Sequence, residues 1–159
     1  MIRFTPSSFT VEAAKGATPK RTIYGLAAPY NVAARTSTGQ EVLFMPGSLP
    51  VDGPAPKLMQ YHDSTKPIGI VTERVETPEG VMFAARISAT NAGDEALTLA
   101  QDGVLDSVSV GATPTEWTMV DGVMHVTAAI WSELSMVSEG AFADAKIHQI
   151  AAQSDITSV

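Results

Sequence analysis

The chain has 159 residues, 45% of them hydrophobic and 17% charged, which supports one packed core and excludes a disordered chain. Cysteine is absent, which excludes a disulfide scaffold, a thiol nucleophile and thiolate metal ligands. The net charge of −7 opposes a phosphate-binding surface, so no nucleic acid is expected as the main ligand, while a basic protein or peptide partner is allowed.

Met1 to Thr10 holds one Arg, Pro6 and no apolar run, so it does not read as a signal peptide. No window approaches the roughly 18 to 20 apolar residues of a bilayer span, and no membrane association is expected. Residues 1–20 are expected to be a flexible lead-in. Thr22 to Ala27 and Glu41 to Met45 read as strands, the second closed by a turn through Leu49. Residues 50–56 form a Pro-rich loop. A strand over Lys57 to Tyr61 should end at His62-Asp63, before a Ser-Thr-Lys-Pro turn. Ile68 to Val75 and Val81 to Ile87 flank Glu76-Thr-Pro-Glu-Gly80 as a hairpin.

A helix follows. Thr90 or Asn91 can cap it, Asp94 and Glu95 suit its N-terminal dipole, and Ala96, Leu97 and Ala100 give it an apolar stripe that stops at Gly103. Leu105 to Ala112 and Met124 to Val137 read as strands, with a break near Ser132. Ala141 to Ala152 has helical spacing, and 153–159 is expected to be a disordered tail. The sum is a mainly β (α+β) fold, one β-barrel domain over 1–159 flanked by two or three helices.

Chemistry has few places to reside. The three histidines, His62, His125 and His148, show no metal-binding spacing, so neither a metal nor another cofactor is expected. His62 sits at a strand end, where a general base can reach a cleft, although from the residue alone a partly exposed loop histidine is the favoured reading. Alternation places Leu105, Ser107, Ser109 and Gly111 on one face, with two hydroxyls in an otherwise apolar strand. Gly111 would let a backbone or substrate approach, although a plain solvent face reads the same way. A serine nucleophile needs a base, and the base needs a group to hold its tautomer. Glu133, placed by alternation with Trp131, Ser135 and Val137, can supply that group. So can His125, on the same parity, and periodicity does not choose.

In order along the chain, Gly25-Leu-Ala-Ala-Pro-Tyr30, Glu41-Val-Leu-Phe-Met-Pro-Gly-Ser-Leu49, Leu58-Met-Gln-Tyr-His-Asp63 with Lys66-Pro-Ile-Gly69, Gly103-Val-Leu-Asp-Ser-Val-Ser-Val-Gly111 and Glu133-Leu-Ser-Met-Val137 with Ala141 to Ile147 resemble the prohead serine proteases of tailed phages. The resemblance implies a serine endopeptidase with an acyl-enzyme mechanism, His62 as general base and Ser109 as nucleophile, Ser107 being a bystander. It makes Glu133 the orienting residue, ahead of His125. Such proteases are similar in fold to herpesvirus assemblins, which implies a barrel of that type. It also implies a homodimer or higher homo-oligomer, with helices near 92–102 and 141–152 as contact candidates.

The implied substrates are the major capsid protein with its scaffold segments, and the protease itself by self-cleavage, inside the procapsid assembling in the host cytoplasm. For the oxyanion, backbone amides near the nucleophile or Arg86 are candidates. Ser138-Glu-Gly140 departs from the proline that many relatives carry after the closing strand. Many also run on into a longer tail, so a trimmed, self-processed or naturally short form is compatible with an end at Val159. A catalytically inactive assembly module of the same fold is the alternative, and would show His62 far from Ser109. A generic β-barrel binding domain would not cluster His62, Ser109 and Glu133 at all.

Overall fold

The computed structural model describes residues 21–36, 38–139 and 147–151. The expected flexible lead-in, the tail over 153–159 and the stretch 141–146 lie outside the described residues. The elements in order are β1 (Thr22–Pro29), β2 (Ala33–Arg35), β3 (Glu41–Phe44), β4 (Lys57–Gln60), β5 (Asp63–Glu76), β6 (Gly80–Ile87), α1 (Asn91–Gln101), β7 (Ser107–Val120), β8 (Val123–Val137) and β9 (Ile147–Ala151).

The strands form one sheet in the order β2-β3-β8-β4-β5-β6-β1-β9, with β7 on the other side of β8. The sheet curls into a half-barrel. Its spine is β8. Along one edge β8 pairs in parallel with β3 at Val123–Val126 and with β4 at Glu133–Met136; along the other it carries β7 antiparallel for its whole length. Two neighbouring strands, β4 and β7, therefore flank residues 133–136 of β8.

The apolar residues of the sequence fill both sides of β1 and β6. Ile23, Phe83 and Ala85 join Leu58, Ile68, Leu105, Val108, Leu134 and Met136 in the main core, each at most 1% exposed. Tyr24, Leu26, Met82 and Ala84 build a second cluster. Every residue of β1 is buried. Full burial of one such side chain stabilises by about 1.5–3 kcal/mol, so this wall is the rigid backing of the molecule.

Helix α1 follows its sequence signals. Thr90, not Asn91, is the N-cap, its hydroxyl accepting from Gly93 N at 3.0 Å; Ala96, Leu97 and Ala100 are buried, and Gly103 leaves the helix at φ +80°. Arg21 ties the helix to β6, donating to Asp94 Oδ1 at 2.7 Å and to the carbonyls of Ile87 and Ser88. No helix among the described residues is long and apolar enough to cross a membrane.

Four expectations need correction, beginning with the barrel, which is here a curled half-barrel. One helix stands among the described residues where two or three were expected: Ile147–Ala151, expected as the end of a helix, pairs antiparallel with β1 as β9. Isoleucines at 147 and 150 suit a strand as well as a helical stripe, and the free edge of β1 decides. The Ser-Thr-Lys-Pro turn does not form. The chain reverses earlier, at Tyr61-His62, and Ser64 to Lys66 bulge from β5 between the pairs Gln60–Asp63 and Met59–Pro67. Finally, β7 and β8 run on to a two-residue Asp121-Gly122 turn, both residues at positive φ, and β2 adds a short edge strand.

Candidate active site

The Tyr61-His62 turn is where the site begins. Gln60 pairs with Asp63, leaving two central residues, and both adopt left-handed backbone, φ 55° and 57°. That is the turn a tight hairpin needs, but its usual residues are Asn-Gly or Asp-Gly. Non-glycine residues there cost on the order of 1–3 kcal/mol each. Tertiary bonds hold the turn instead: Tyr61 N donates to Met136 O at 3.2 Å, and His62 N to Ser135 Oγ at 2.8 Å. Past the turn, Thr65 donates from both its amide and its hydroxyl to Asp63 Oδ1, at 2.9 and 2.6 Å. These bonds, and more weakly Lys66, hold the exposed Asp63 carboxyl below the usual carboxylate range.

The turn delivers the His62 ring to β7 and β8. Its Nε2 lies 2.9 Å from Ser109 Oγ, and its Nδ1 meets Glu133 Oε2. The ring is 42% exposed, whereas Glu133 is 17% exposed. An ionised carboxylate only accepts, so the Glu133 contact fixes the proton of a neutral imidazole on Nδ1. That leaves the Nε2 lone pair facing the Ser109 hydroxyl, the arrangement in which a histidine can take a proton from serine.

The sheet sets the rest. Ser109 pairs with Ser135, and Gly111 with Glu133. A β carbon at position 111 would collide with the Glu133 carboxylate, its Cδ 2.5 Å and its Cγ 2.7 Å away, so only glycine leaves room for this side chain. The break expected near Ser132 is a β-bulge in a continuous strand, since the pairing steps from Gly111–Glu133 to Ala112–Trp131. It overturns the alternation that put Glu133 with Trp131. Gly111 and Ala112 face opposite ways, so Trp131 turns into the core, 3% exposed, while Glu133 reaches the cleft. Trp131 Nε1 donates to Glu133 O at 2.9 Å and Ser132 Oγ to Gly111 O at 3.2 Å, which pins the bulge.

The sequence candidates separate clearly. His62, Ser109 and Glu133 come together. Ser107 is 1% exposed, and its hydroxyl donates to Asp106 at 2.8 Å. His125 lies further along β8, paired with Leu43 and Thr118, and does not line the cleft. Neither does Arg86, on β6 between Thr22 and Ile70. Among the described residues no three His, Cys, Asp or Glu stand close enough to hold a metal ion.

Ser109, His62, Glu133 and Gly111 open into a cleft of about 460 Å³, walled by Val42 and Phe44 of β3, Val110 of β7 and Ala34 to Thr36 around β2. Its size suits a peptide segment. Sequence reading missed β2, and with it Arg35, the arginine that lines this cleft. Arg35 donates to Gly39 O at 2.8 Å and stands 3.8 Å from Glu41.

The family profile of the caudovirus prohead serine proteases matches residues 7–158. The chain belongs to that family. Membership makes this prohead protease a serine peptidase of capsid maturation, one whose cleft holds a serine, a histidine and a carboxylate in hydrogen-bonded sequence. No curated protein matches the chain.

Proposed function

We propose that this prohead protease cleaves peptide bonds with Ser109 as nucleophile, His62 as general base and Glu133 as the residue that orients the histidine and stabilises its charged form. The observation that carries the reading is the 2.9 Å contact of His62 Nε2 with Ser109 Oγ, the opposite nitrogen being taken by Glu133. Ser109 Oγ attacks the scissile carbonyl as His62 accepts its proton. The imidazolium, paired with Glu133, then gives that proton to the leaving amine, and an acyl-enzyme remains on Ser109. Water enters by the same proton path, attacks the ester and releases Ser109.

The proposed substrates are the scaffold segments of the major capsid protein and the protease itself, within the procapsid in the host cell. Family membership supports a capsid-protein substrate. We propose that the chain acts as one protease domain that forms a homodimer or higher homo-oligomer. An inactive assembly module has no geometric support, because His62 and Ser109 stand within hydrogen-bond reach.

The test is co-expression with the capsid substrate. Cleavage should vanish in Ser109→Ala and His62→Ala and persist in Ser107→Ala. Glu133→Ala should cost far more than His125→Ala. Cleavage that survives Ser109→Ala but not Ser107→Ala would refute the assignment.

A further inference from the structure

We infer that Ser135 is a positioning residue of this site, fixing the backbone of His62 and the carboxylate of Glu133 through one hydroxyl. The inference rests on the proposed roles of His62, Ser109 and Glu133.

Ser135 is fully buried on β8, at the level of Ser109 on β7 and Met59 on β4. Its Oγ accepts from His62 N at 2.8 Å and donates to Glu133 Oε1 at 2.8 Å. A hydroxyl has one proton, and a backbone amide cannot accept it. The direction of both bonds is therefore forced. Glu133 has both oxygens committed, Oε1 to Ser135 and Oε2 to His62 Nδ1. The carboxylate cannot rotate without losing one of them.

The same hydroxyl supports the strained turn. His62 holds φ 57° without a glycine, and the hydrogen bond from its amide to Ser135 Oγ, beside that of Tyr61 N to Met136 O, opposes relaxation. One atom thus sets where the histidine starts and where the group that aims it lies. Removing it leaves a partly buried amide and a partly buried carboxylate oxygen each short of a partner. The ring would keep its chemistry and lose its aim. The cost should fall on the chemical step, since Ser135 is not among the residues that line the cleft.

The experiment compares Ser135→Ala and Ser135→Cys in the full chain, using a peptide spanning the junction that the wild type cleaves. Cysteine fills the space of serine but hydrogen-bonds weakly, so it keeps the packing. Both should lower kcat by roughly tenfold to a hundredfold, the range seen when an outer partner of a site residue is lost, with KM within about twofold. In a Glu133→Gln background Ser135→Ala should add much less, because both changes disable one unit. Wild-type kcat in either folded variant, or a loss that multiplies fully with Glu133→Gln, would overturn the inference. Should Ser135→Ala not fold, Ser135→Cys decides alone. His62→Ala and Ser109→Ala separate the two layers. Activity in either one sinks the reading of the site itself; inactivity in both, beside wild-type Ser135 variants, sinks only the role of Ser135.

Discussion

Two tight turns in this molecule share one backbone shape and differ in everything else. Asp121-Gly122 joins β7 to β8 with φ 50° and 81°, and Tyr61-His62 joins β4 to β5 with φ 55° and 57°. The first uses residues that accept left-handed backbone and hold the shape locally. The second uses residues that resist it, and depends on Met136 O and Ser135 Oγ from the neighbouring strand. A turn made for connection follows its own propensity; a turn made to present a histidine is held by its surroundings. Strain of this kind concentrates where a side chain must be aimed.

The largest effects should come from the held turn. His62→Ala should cut peptide cleavage by about 10⁶-fold, the scale at which triad hydrolases lose their base, whereas Asp121→Ala should leave the rate within about twofold. Progress curves on a capsid-derived peptide would read both. Gly111→Ala comes next. Its new methyl group displaces the Glu133 carboxylate, so cleavage should fall by about 10² to 10⁴-fold with the protein still folded, approaching the cost of losing the third member outright. A Gly111→Ala protein with wild-type kcat would show that Glu133 does not need its present place.

Stability should run the other way in the two turns. Tyr61→Gly relieves one strained residue and should raise the unfolding free energy by up to about 1 kcal/mol in urea titration. Gly122→Ala, at φ 81°, should lower it by about 1–2 kcal/mol. Equal responses would erase the contrast.

The smallest effect concerns pH. Asp63 has its carboxyl lowered from 3.8 by the Thr65 bonds, so its contribution to stability is present above that value and fades as the pH falls through the lowered one. Thr65→Val removes the hydroxyl bond and keeps the amide bond, so it should weaken that dependence: stability falls slightly at neutral pH, and the two proteins converge as the pH drops below the lowered value, as acid unfolding curves would read.

The hairpin strands and the capped helix were legible in local residues: a continuous apolar run at Val81 to Ile87 after Gly80, and Thr90 before an apolar stripe. The catalytic candidates were legible through the family resemblance, His-Asp before Pro-Ile-Gly and a serine directly before Val-Gly. Asp121-Gly122 carried a plain hairpin signal that the sequence reading passed over. The rest needed tertiary information. No local rule puts Tyr61-His62 in a left-handed turn, and the bulge at Ser132 reverses the parity by which Glu133 would be grouped with Trp131. Nor does spacing separate Glu133 from His125, because only β4, laid against Glu133–Met136, decides which of them His62 can meet. The strand at Ile147–Ala151 depends on an open edge of β1 that the segment itself does not announce.

The central claim is that His62 activates Ser109, and diisopropyl fluorophosphate tests it without any knowledge of the natural substrate. The reagent phosphorylates a serine whose hydroxyl is deprotonated by a neighbouring base. Peptide mapping by mass spectrometry should find the adduct on Ser109 of the wild type and no adduct there in His62→Ala. An adduct on Ser107, or labelling of Ser109 that persists at the wild-type rate without His62, would contradict the account.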